Sequence, residues 1–130
     1  MKIEHLAIWV TDLETMRAFY EKYFGATANQ KYENKTKNFS SYFLTFANGG
    51  CRLELMHKPE IRALAPSTNA QRLGLIHLAI SVGSKQKVDE LTEQLRQDGY
   101  TITSEPRTTG DGYYESVCLD PEQNLIEITI

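Results

Sequence analysis

The amino-acid sequence predicts an α+β fold made of two tandem βαβββ modules. A strand-like segment followed by a helix-like segment occurs near the start of the chain and again in its second half. Both strand-like segments contain the pattern His-Leu-Ala-Ile-x-Val, at residues 5–10 and 77–82. Each half also ends in an apolar strand with a single glutamate, Glu54 or Glu127. These repeated features indicate that the chain is a duplication of one unit.

The composition is that of one domain. With 130 residues, of which 41% are hydrophobic, the chain can bury a core without disulfides. The formal net charge of -3 comes from interspersed acidic and basic residues, so we expect no nucleic-acid partner. The sequence has no membrane-length apolar run and no signal-peptide pattern, so we expect no membrane partner and a cytoplasmic location. Cys51 and Cys118 are interpreted as buried, reduced and structural.

The first half begins with a strand and a helix. Residues 3–10 alternate in polarity as a strand does, and His5 points away from its most aliphatic face. Thr11 and Glu14 have the spacing of a capping box, so the helix is predicted to begin there. Apolar residues then recur at helical intervals until Gly25, which is predicted to end the helix.

Three strands are predicted between residues 26 and 55, where aromatic and apolar runs are separated by polar turns. The last of them, residues 51–56, carries Glu54 on the face opposite its apolar neighbours. A lone glutamate in such a strand usually faces solvent, so Glu54 taken alone predicts no site.

The second half repeats this order. Residues 74–82 match the first strand, and Ser84 is predicted to cap a helix that stops at Gly99. Three further strands are predicted at residues 100–102, 113–119 and 125–130. A weakly patterned segment with two prolines separates the halves and is interpreted as a linker. We therefore expect a single domain, residues 1–130, made of module 1 at about 1–57, a linker at about 58–72 and module 2 at about 73–130.

The repeat brings two histidines and two glutamates into matching positions. The separation from histidine to glutamate is 54 minus 5, or 49, in the first half and 127 minus 77, or 50, in the second. A chance surface residue would not recur together with its neighbours, so the four residues predict one site. Two imidazoles and two carboxylates suit a divalent ion such as Ni, Zn, Co, Mn or Fe and leave coordination positions open. The candidate metal ligands are His5, Glu54, His77 and Glu127.

Other polar residues of the chain lack this repetition. His57 ends its strand and has no counterpart in the second half, so we interpret it as a surface or loop residue. Four glutamates without a partner that the sequence can assign are also interpreted as surface residues: Glu4, Glu33, Glu105 and Glu115.

Motifs along essentially the whole chain carry a family resemblance. They are His5 with Val10-Thr11-Asp12-Leu13, Phe19-Tyr20, Phe24-Gly25, Leu53-Glu54-Leu55, Ile76-His77-Leu78-Ala79 and Asp120-Pro121-Glu122-Gln123-Asn124-Leu125-Ile126-Glu127. Together they resemble the vicinal-oxygen-chelate superfamily, which includes glyoxalases, bleomycin-resistance proteins and dioxygenases, and most closely its glyoxalase I type. The resemblance implies curved sheets that form a cleft around a metal, whose ligands match the four candidates, and a homodimer.

The resemblance also implies an activity. In glyoxalase I the substrate is the adduct of methylglyoxal and glutathione, and one glutamate is described as both metal ligand and base. We therefore expect a lactoylglutathione lyase-like enzyme that acts on a small vicinal-oxygen substrate by metal-stabilised proton transfer. Such a substrate is a 2-oxoaldehyde-thiol hemithioacetal, with glutathione or another thiol as cosubstrate. Glu54 and Glu127 are both candidate catalytic bases.

One residue departs from the glyoxalase I pattern. The position four after the first ligand histidine is typically an arginine that contacts the glutathione carboxylate, but here it is Trp9, which becomes a substrate-pocket candidate. Other metal-dependent members, which act as epimerases, fosfomycin-type thiol transferases or dioxygenases, therefore stay open. Methylmalonyl-CoA epimerases are usually described with glutamine where this chain has Glu54, which favours a glyoxalase-like set. A non-catalytic drug- or metabolite-binding module, as in the bleomycin-resistance branch, is the alternative of a different class.

Overall fold

The computed structural model describes residues 1–62 and 73–130, which belong to two compact units, residues 1–69 and 70–130. The first unit contains β1 (His5–Trp9), α1 (Leu13–Phe24), β2 (Thr27–Ala28), β3 (Tyr32–Asn34), β4 (Phe39–Thr45) and β5 (Arg52–His57). The second contains β6 (His77–Ser81), α2 (Lys85–Gln97), β7 (Ile102–Thr108), β8 (Tyr114–Leu119) and β9 (Leu125–Thr129). The predicted α+β class and the βαβββ order of both modules are confirmed, with the two-residue strand β2 as an addition.

The segment between the two modules, at about residues 58–72, is predicted to be a linker. Most of that predicted linker, residues 63–72, lies outside the described residues. Among the helices that are described, none has the length and apolar character needed to cross a membrane.

Each module has its own mixed sheet, and both sheets pair their strands in the same way. In the first, the strand order is β1-β5-β4-β2 with β3 on β4, and β1 runs parallel to β5. In the second, the order is β6-β9-β8-β7, and β6 runs parallel to β9. The strand with a candidate histidine therefore lies beside the strand with a candidate glutamate in both sheets.

One face of each sheet packs against the helix of its own module and forms a core. Leu53 and Leu55 of β5 are 4% and 0% exposed, and Ile126 and Ile128 of β9 are each 0% exposed. Burying a side chain of this size contributes about 1.5–3 kcal/mol. Because side chains alternate along a strand, the glutamate between each of these pairs is directed to the opposite face of its sheet.

The start of α1 differs from the predicted capping box, which is wrong. Asp12 is the N-cap, and its Oδ1 accepts hydrogen bonds from the backbone N–H groups of Glu14 and Thr15, both at 3.0 Å. The Glu14 side chain is directed elsewhere, toward Lys31 at 3.2 Å and the Tyr42 hydroxyl at 3.0 Å. A carboxylate that satisfies two N–H groups is a better acceptor than the hydroxyl of the preceding threonine. The predicted end of the helix is confirmed by Gly25, with φ of 61°.

Replacing Asp12 with alanine is expected to lower the free energy of unfolding by about 0.5–2 kcal/mol, because two N–H groups lose their acceptor. Urea unfolding followed by circular dichroism measures this loss. Thr11→Ala is the matched control, since the capping box would assign the larger loss to Thr11. A larger effect at Thr11 than at Asp12 contradicts the observed cap.

In the second module, the helix begins as predicted but the strand after it is longer than the sequence predicts. Ser84 caps α2 as predicted, with its Oγ accepting from the N–H of Lys87 at 3.3 Å. The following strand was predicted at residues 100–102, but β7 extends over Ile102–Thr108 and includes Pro106. Its polar residues and its irregular pairing with β8 hide the strand pattern. Proline is tolerated because β7 lies at the edge of the sheet.

The two cysteines differ in their surroundings. Cys118 is 0% exposed, and burial raises the pKa of its thiol to about 12. Cys51 is half-buried and precedes β5, so the prediction that both cysteines are buried is correct only for Cys118. Both are free thiols, as expected.

Candidate metal centre

The first module brings His5 and Glu54 together on one face of its sheet. The register pairs Ala7 with Glu54, so Glu54 and His5 project from the same side of two neighbouring parallel strands. His5 Nε2 lies 3.8 Å from Glu54 Oε2, which is longer than a hydrogen bond. The two side chains are 39% and 13% exposed. The facing nitrogen and oxygen atoms are thus close without being bonded to each other.

The other nitrogen of His5 has its own acceptor. Glu4 Oε2 lies 2.5 Å from His5 Nδ1, and the Glu4 carboxylate also forms an ion pair with Arg52. The hydrogen bond from His5 is the main cause that lowers the pKa of Glu4. A carboxylate accepts the proton on Nδ1, so in the neutral imidazole the Nε2 lone pair faces Glu54. This arrangement is typical of histidines that bind metals, whose second nitrogen donates to a carboxylate or carbonyl.

The second module contains the equivalent pair, His77 and Glu127. The register pairs Ala79 with Glu127, which reproduces the register of the first module residue for residue. His77 Nε2 lies 3.5 Å from Glu127 Oε2, and the side chains are 42% and 18% exposed. The residue before His77 is Ile76, so this histidine lacks the preceding glutamate that supports His5. The two pairs match each other, but their surroundings do not.

Glu115 is the residue that most changes the surroundings of Glu127. It was predicted to be a surface residue, which is wrong, because it is only 9% exposed. It lies on the same face of the sheet as Glu127, one same-face position along the neighbouring strand, and Arg107 Nη1 lies 3.4 Å from Glu115 Oε1. Burial first, and then the neighbouring Glu115, raise the pKa of Glu127.

The other glutamates that were predicted to lie at the surface are exposed. The side chains of Glu4, Glu33 and Glu105 are 54%, 58% and 67% exposed. Glu105 is paired with Arg96 at 2.6 Å, away from the candidate ligands. Glu4 is exposed and nevertheless contacts His5, a pairing that the repeated sequence pattern does not predict.

The turn between β8 and β9 contains a signal that could have identified Glu115. Asp120 Oδ1 accepts from the N–H groups of Glu122 and Asn124, both at 2.9 Å, and closes the turn. This turn fixes the antiparallel register, in which Val117 lies opposite Glu127. Counting back two residues from Val117 then places Glu115 on the same face as Glu127.

Metal-free Glu127→Gln is expected to gain stability relative to the wild type as the pH rises above 4.5, the ordinary pKa of glutamate. Because the pKa of Glu127 is raised on folding, the folded wild type binds more protons than the unfolded chain in the window above 4.5. Its free energy of unfolding therefore falls as the pH rises through that window, and the glutamine variant lacks this loss. Urea unfolding with a chelator present, at pH values on both sides of 4.5, measures the difference.

Leu44→Ala is the control for this pH dependence, because Leu44 is buried in the core of the first module and does not titrate. Its loss of stability is expected to be the same at every pH. Stability curves of Glu127→Gln and the wild type that run parallel across the window contradict the prediction.

Trp9 lies on the same face as His5, at the other end of β1. Its side chain is 44% exposed, and its ring meets Phe39 edge-to-face with centroids 6.1 Å apart. Tyr32, 52% exposed, contacts the same phenylalanine at 6.1 Å. The first module therefore presents an aromatic row, Trp9, Phe39 and Tyr32, on the face that carries His5 and Glu54.

A cavity of about 260 Å³ lies beside this row, within the first module. Asn34, Lys35, Phe39 and His57 are among its lining residues, and none of the described residues that line it is a candidate ligand. His57 is half-buried and its Nδ1 lies 2.9 Å from the carbonyl oxygen of Val10, so it is held at the end of its strand. The cavity is thus polar and separate from the His5–Glu54 pair.

The donor atoms of each pair fit a divalent ion. A nitrogen and an oxygen that both lie about 2.1 Å from one ion are separated by roughly 3.0–3.4 Å at tetrahedral or octahedral angles. The observed separations, 3.8 Å and 3.5 Å, need only a small approach of the side chains. In residues 1–62 and 73–130, no group of three or more His, Cys, Asp and Glu side chains is close enough to hold a metal. Each module therefore offers one pair of donors.

A match to a known protein family agrees with the fold and with the repeated His–Glu pairs. Residues 2–128 match the model of the Glyoxalase/Bleomycin resistance protein/Dioxygenase superfamily. The protein therefore belongs to this superfamily, and the resemblance seen in its motifs is confirmed.

Two similar proteins match nearly the whole length of this chain. It is 29% identical to the uncharacterized protein YqjT of Bacillus subtilis (strain 168), over 97% of this chain and 96% of that protein. It is 32% identical to the uncharacterized protein YwkD of the same organism, over 97% and 94%. These relatives match this chain along nearly their full length, but their names give no activity.

Solved structures share the fold. A possible glyoxalase from Bacillus cereus is 27% identical, with a TM-score of 0.72 over 100% of this chain and 99% of that one. Glyoxalase I from Zea mays is 24% identical, with a TM-score of 0.79 over 98% of this chain. The chain spans only 44% of the maize protein, and this likeness establishes the fold alone.

Proposed function

We propose that this protein is a metal-dependent, glyoxalase I-like lyase that isomerises a vicinal-oxygen substrate, with His5, Glu54, His77 and Glu127 as metal ligands. The observation that carries the proposal is the repetition of one His–Glu pair, in the same register and with similar spacing, in both modules. Surface residues have no physical reason to repeat in this way. Superfamily membership and the fold shared with glyoxalase I support the same activity.

The chemistry follows from the groups that surround the pairs. A bound divalent ion would supply Lewis acidity, which stabilises negative charge on two vicinal oxygens of a substrate. Glu54 or Glu127 accepts a proton from one substrate carbon and returns it to the neighbouring carbon, which is an isomerisation. The raised pKa of Glu127 makes its carboxylate a stronger proton acceptor than that of an ordinary glutamate.

The substrate is proposed to be a small molecule, a 2-oxoaldehyde-thiol hemithioacetal, formed with glutathione or another thiol. Trp9 favours a thiol other than glutathione, because an exposed indole cannot pair with a carboxylate as an arginine does. A homodimer in the cytoplasm is the proposed setting, as is common among members of the superfamily. Gel filtration coupled to light scattering tests the dimer.

The experiment that tests the activity uses purified protein stripped of metal with a chelator and reloaded separately with Ni, Co or Zn. The reloaded protein is expected to convert methylglyoxal hemithioacetals, prepared with glutathione and with other small thiols. Activity must vanish on stripping and return on reloading. Stoichiometric metal without turnover of any hemithioacetal contradicts the lyase assignment, and a protein that binds no metal contradicts the whole proposal.

Trp9 also favours a second candidate, another metal-dependent activity of the superfamily such as an epimerase, a fosfomycin-type thiol transferase or a dioxygenase. The aromatic row formed by Trp9, Phe39 and Tyr32 suits a substrate with an apolar portion. Epimerase, thiol-transferase and dioxygenase assays on the same reloaded protein distinguish these reactions. Turnover in one of them, without hemithioacetal turnover, replaces the first proposal.

A further inference from the structure

A cluster of three side chains surrounds His5 in the first module: Glu4, Arg52 and Phe43. Glu4 Oε2 lies 2.5 Å from His5 Nδ1, and the other oxygen of Glu4, Oε1, forms an ion pair with Arg52 Nη2. Arg52 is also the register partner of His5, and its backbone N–H donates to the carbonyl oxygen of Glu4 at 3.1 Å. Backbone and side-chain contacts thus hold Glu4 and Arg52 together where β1 and β5 begin.

Phe43 is the third member of the cluster. It lies on β4 directly opposite Glu54, so its ring is on the face of the sheet that carries the candidate ligands. The guanidinium carbon of Arg52 lies 4.2 Å from the centre of this ring. The same ring meets the His5 imidazole edge-to-face, with centroids 5.3 Å apart. One aromatic side chain therefore packs against both the guanidinium that holds Glu4 and the imidazole that contacts Glu4.

The second module forms the same strand pairing without this cluster. Ile76 precedes His77, and Leu125 is the register partner of that histidine. Val117 lies opposite the candidate glutamate of the second module. All three positions are aliphatic, and the parallel pairing and the His–Glu pair form nevertheless. The fold therefore does not require the charged cluster beside His5.

Stability does not explain the cluster either. The side chains of Glu4 and Arg52 are 54% and 36% exposed, and an ion pair with this exposure contributes little to the free energy of unfolding. Arg52 Nε is buried without a hydrogen-bond partner among the described residues, which costs free energy. The contacts that remain to be explained are those that the cluster makes with His5.

We propose that Glu4, fixed by Arg52 and Phe43, is a positioning residue that orients the His5 imidazole for metal binding. This inference rests on the proposed role of His5 as a metal ligand. An imidazole that binds a metal through Nε2 has its one ring proton on Nδ1, and a carboxylate that accepts this proton fixes the rotation of the ring. Nε2 of His5 is then held toward Glu54, whose Oε2 lies 3.8 Å away.

The alternative is that Glu4 acts only as a negative charge that attracts a cation. The two ideas make opposite predictions for Arg52. If charge alone matters, removing the positive guanidinium raises the affinity of the protein for a divalent ion. If Glu4 must be held in place, removing Arg52 lowers that affinity, although the site becomes more negative.

The test measures cobalt(II) affinity by competition with a chelating dye, together with the visible spectrum of the cobalt-loaded protein, which reports ligand geometry. Glu4→Ala is expected to weaken cobalt binding about 10–100-fold, the usual cost of losing a group that supports a metal ligand, and to change the spectrum. Glu4→Gln keeps an oxygen that accepts from Nδ1, so it is expected to bind cobalt several-fold more tightly than Glu4→Ala.

Two further variants complete the test. Arg52→Met keeps an apolar side chain against Phe43 but cannot hold Glu4, and it is expected to bind cobalt more weakly than the wild type. Glu33→Ala is the matched control, because Glu33 belongs to the same module and its side chain is 58% exposed. It removes the same charge as Glu4→Ala and is expected to leave affinity and spectrum unchanged.

The outcomes separate this inference from the proposed function. A wild type that binds cobalt while Glu4→Ala binds it equally well overturns the positioning role and leaves the metal proposal intact. Tighter binding by Arg52→Met than by the wild type also overturns it, since Glu4 then acts through its charge. A wild type that binds no cobalt overturns both. Circular dichroism of each variant shows that the measured protein is folded.

Discussion

Replacing Glu127 with alanine is expected to reduce lyase activity on the order of 10²–10⁴-fold, the range typical for losing a general base. Its metal affinity should fall by more than the roughly 10–100-fold that follows loss of an outer supporting group. The reason is that Glu127 is proposed as a donor to the metal and as a candidate base, and it lies 3.5 Å from His77. Metal content after dialysis and kcat with saturating metal separate the two contributions.

Glu54→Ala is the companion variant, because Glu54 lies in the same register beside His5 in the other module. If one glutamate is the base, its variant loses kcat even at saturating metal, whereas the other variant recovers when metal is added. Glu105→Ala, an exposed glutamate paired with Arg96, is the control and should leave metal content unchanged. Full activity in both Glu54→Ala and Glu127→Ala contradicts the proposed site.

The repeated pairs could be predicted from the sequence because strand geometry converts sequence spacing into position. Side chains alternate along a strand, so the shared His-Leu-Ala-Ile pattern fixes the face on which His5 and His77 lie. The glutamates between buried aliphatic residues must point the same way in both modules. The parallel pairing that brings each histidine beside a glutamate was not visible in the sequence, since it depends on tertiary contacts.

What the sequence did not reveal are the differences between the two modules. Glu115 and Glu4 each occur in only one module, so the argument from repetition could not single them out. Both lie beside a candidate ligand: Glu115 is on the same sheet face as Glu127, and Glu4 is hydrogen-bonded to His5. A duplicated fold therefore supplies two similar pairs, and the unrepeated residues around them distinguish one pair from the other.

The N-cap of α1, Asp12, is a second feature that the sequence pattern did not predict. The sequence contains a threonine with the capping-box spacing, but a carboxylate one residue later accepts two N–H bonds and becomes the cap. The choice between neighbouring caps depends on where the other side chain of the box is held. Here Glu14 is held by Lys31 and Tyr42, residues distant in sequence, so the local pattern alone was insufficient.

Trp9 is the proposed determinant of substrate choice, and its exposed position makes it replaceable. Its side chain is 44% exposed and contacts Phe39 at one edge, so changing it removes little of the buried core. Met56 is its register partner on β5, two residues beyond Glu54, which places Trp9 on the face of the candidate ligands. A substituent at this position therefore lies within the same surface as His5 and Glu54.

Replacing Trp9 with arginine is expected to raise kcat/KM for the glutathione hemithioacetal relative to that for a thiol without carboxylates by about 10-fold or more. A hydrogen bond to a charged group contributes about 1.5–3 kcal/mol, and an arginine can hold a carboxylate through two such bonds. Metal-reloaded Trp9→Arg and wild type are compared on both substrates, and Trp9→Phe, which keeps an aromatic ring beside Phe39, is the control without charge. If Trp9→Arg changes kcat/KM equally for both substrates, a role of residue 9 in specificity is contradicted. A loss of packing lowers kcat/KM for both substrates alike, whereas a new positive charge favours only the substrate made with the anionic thiol.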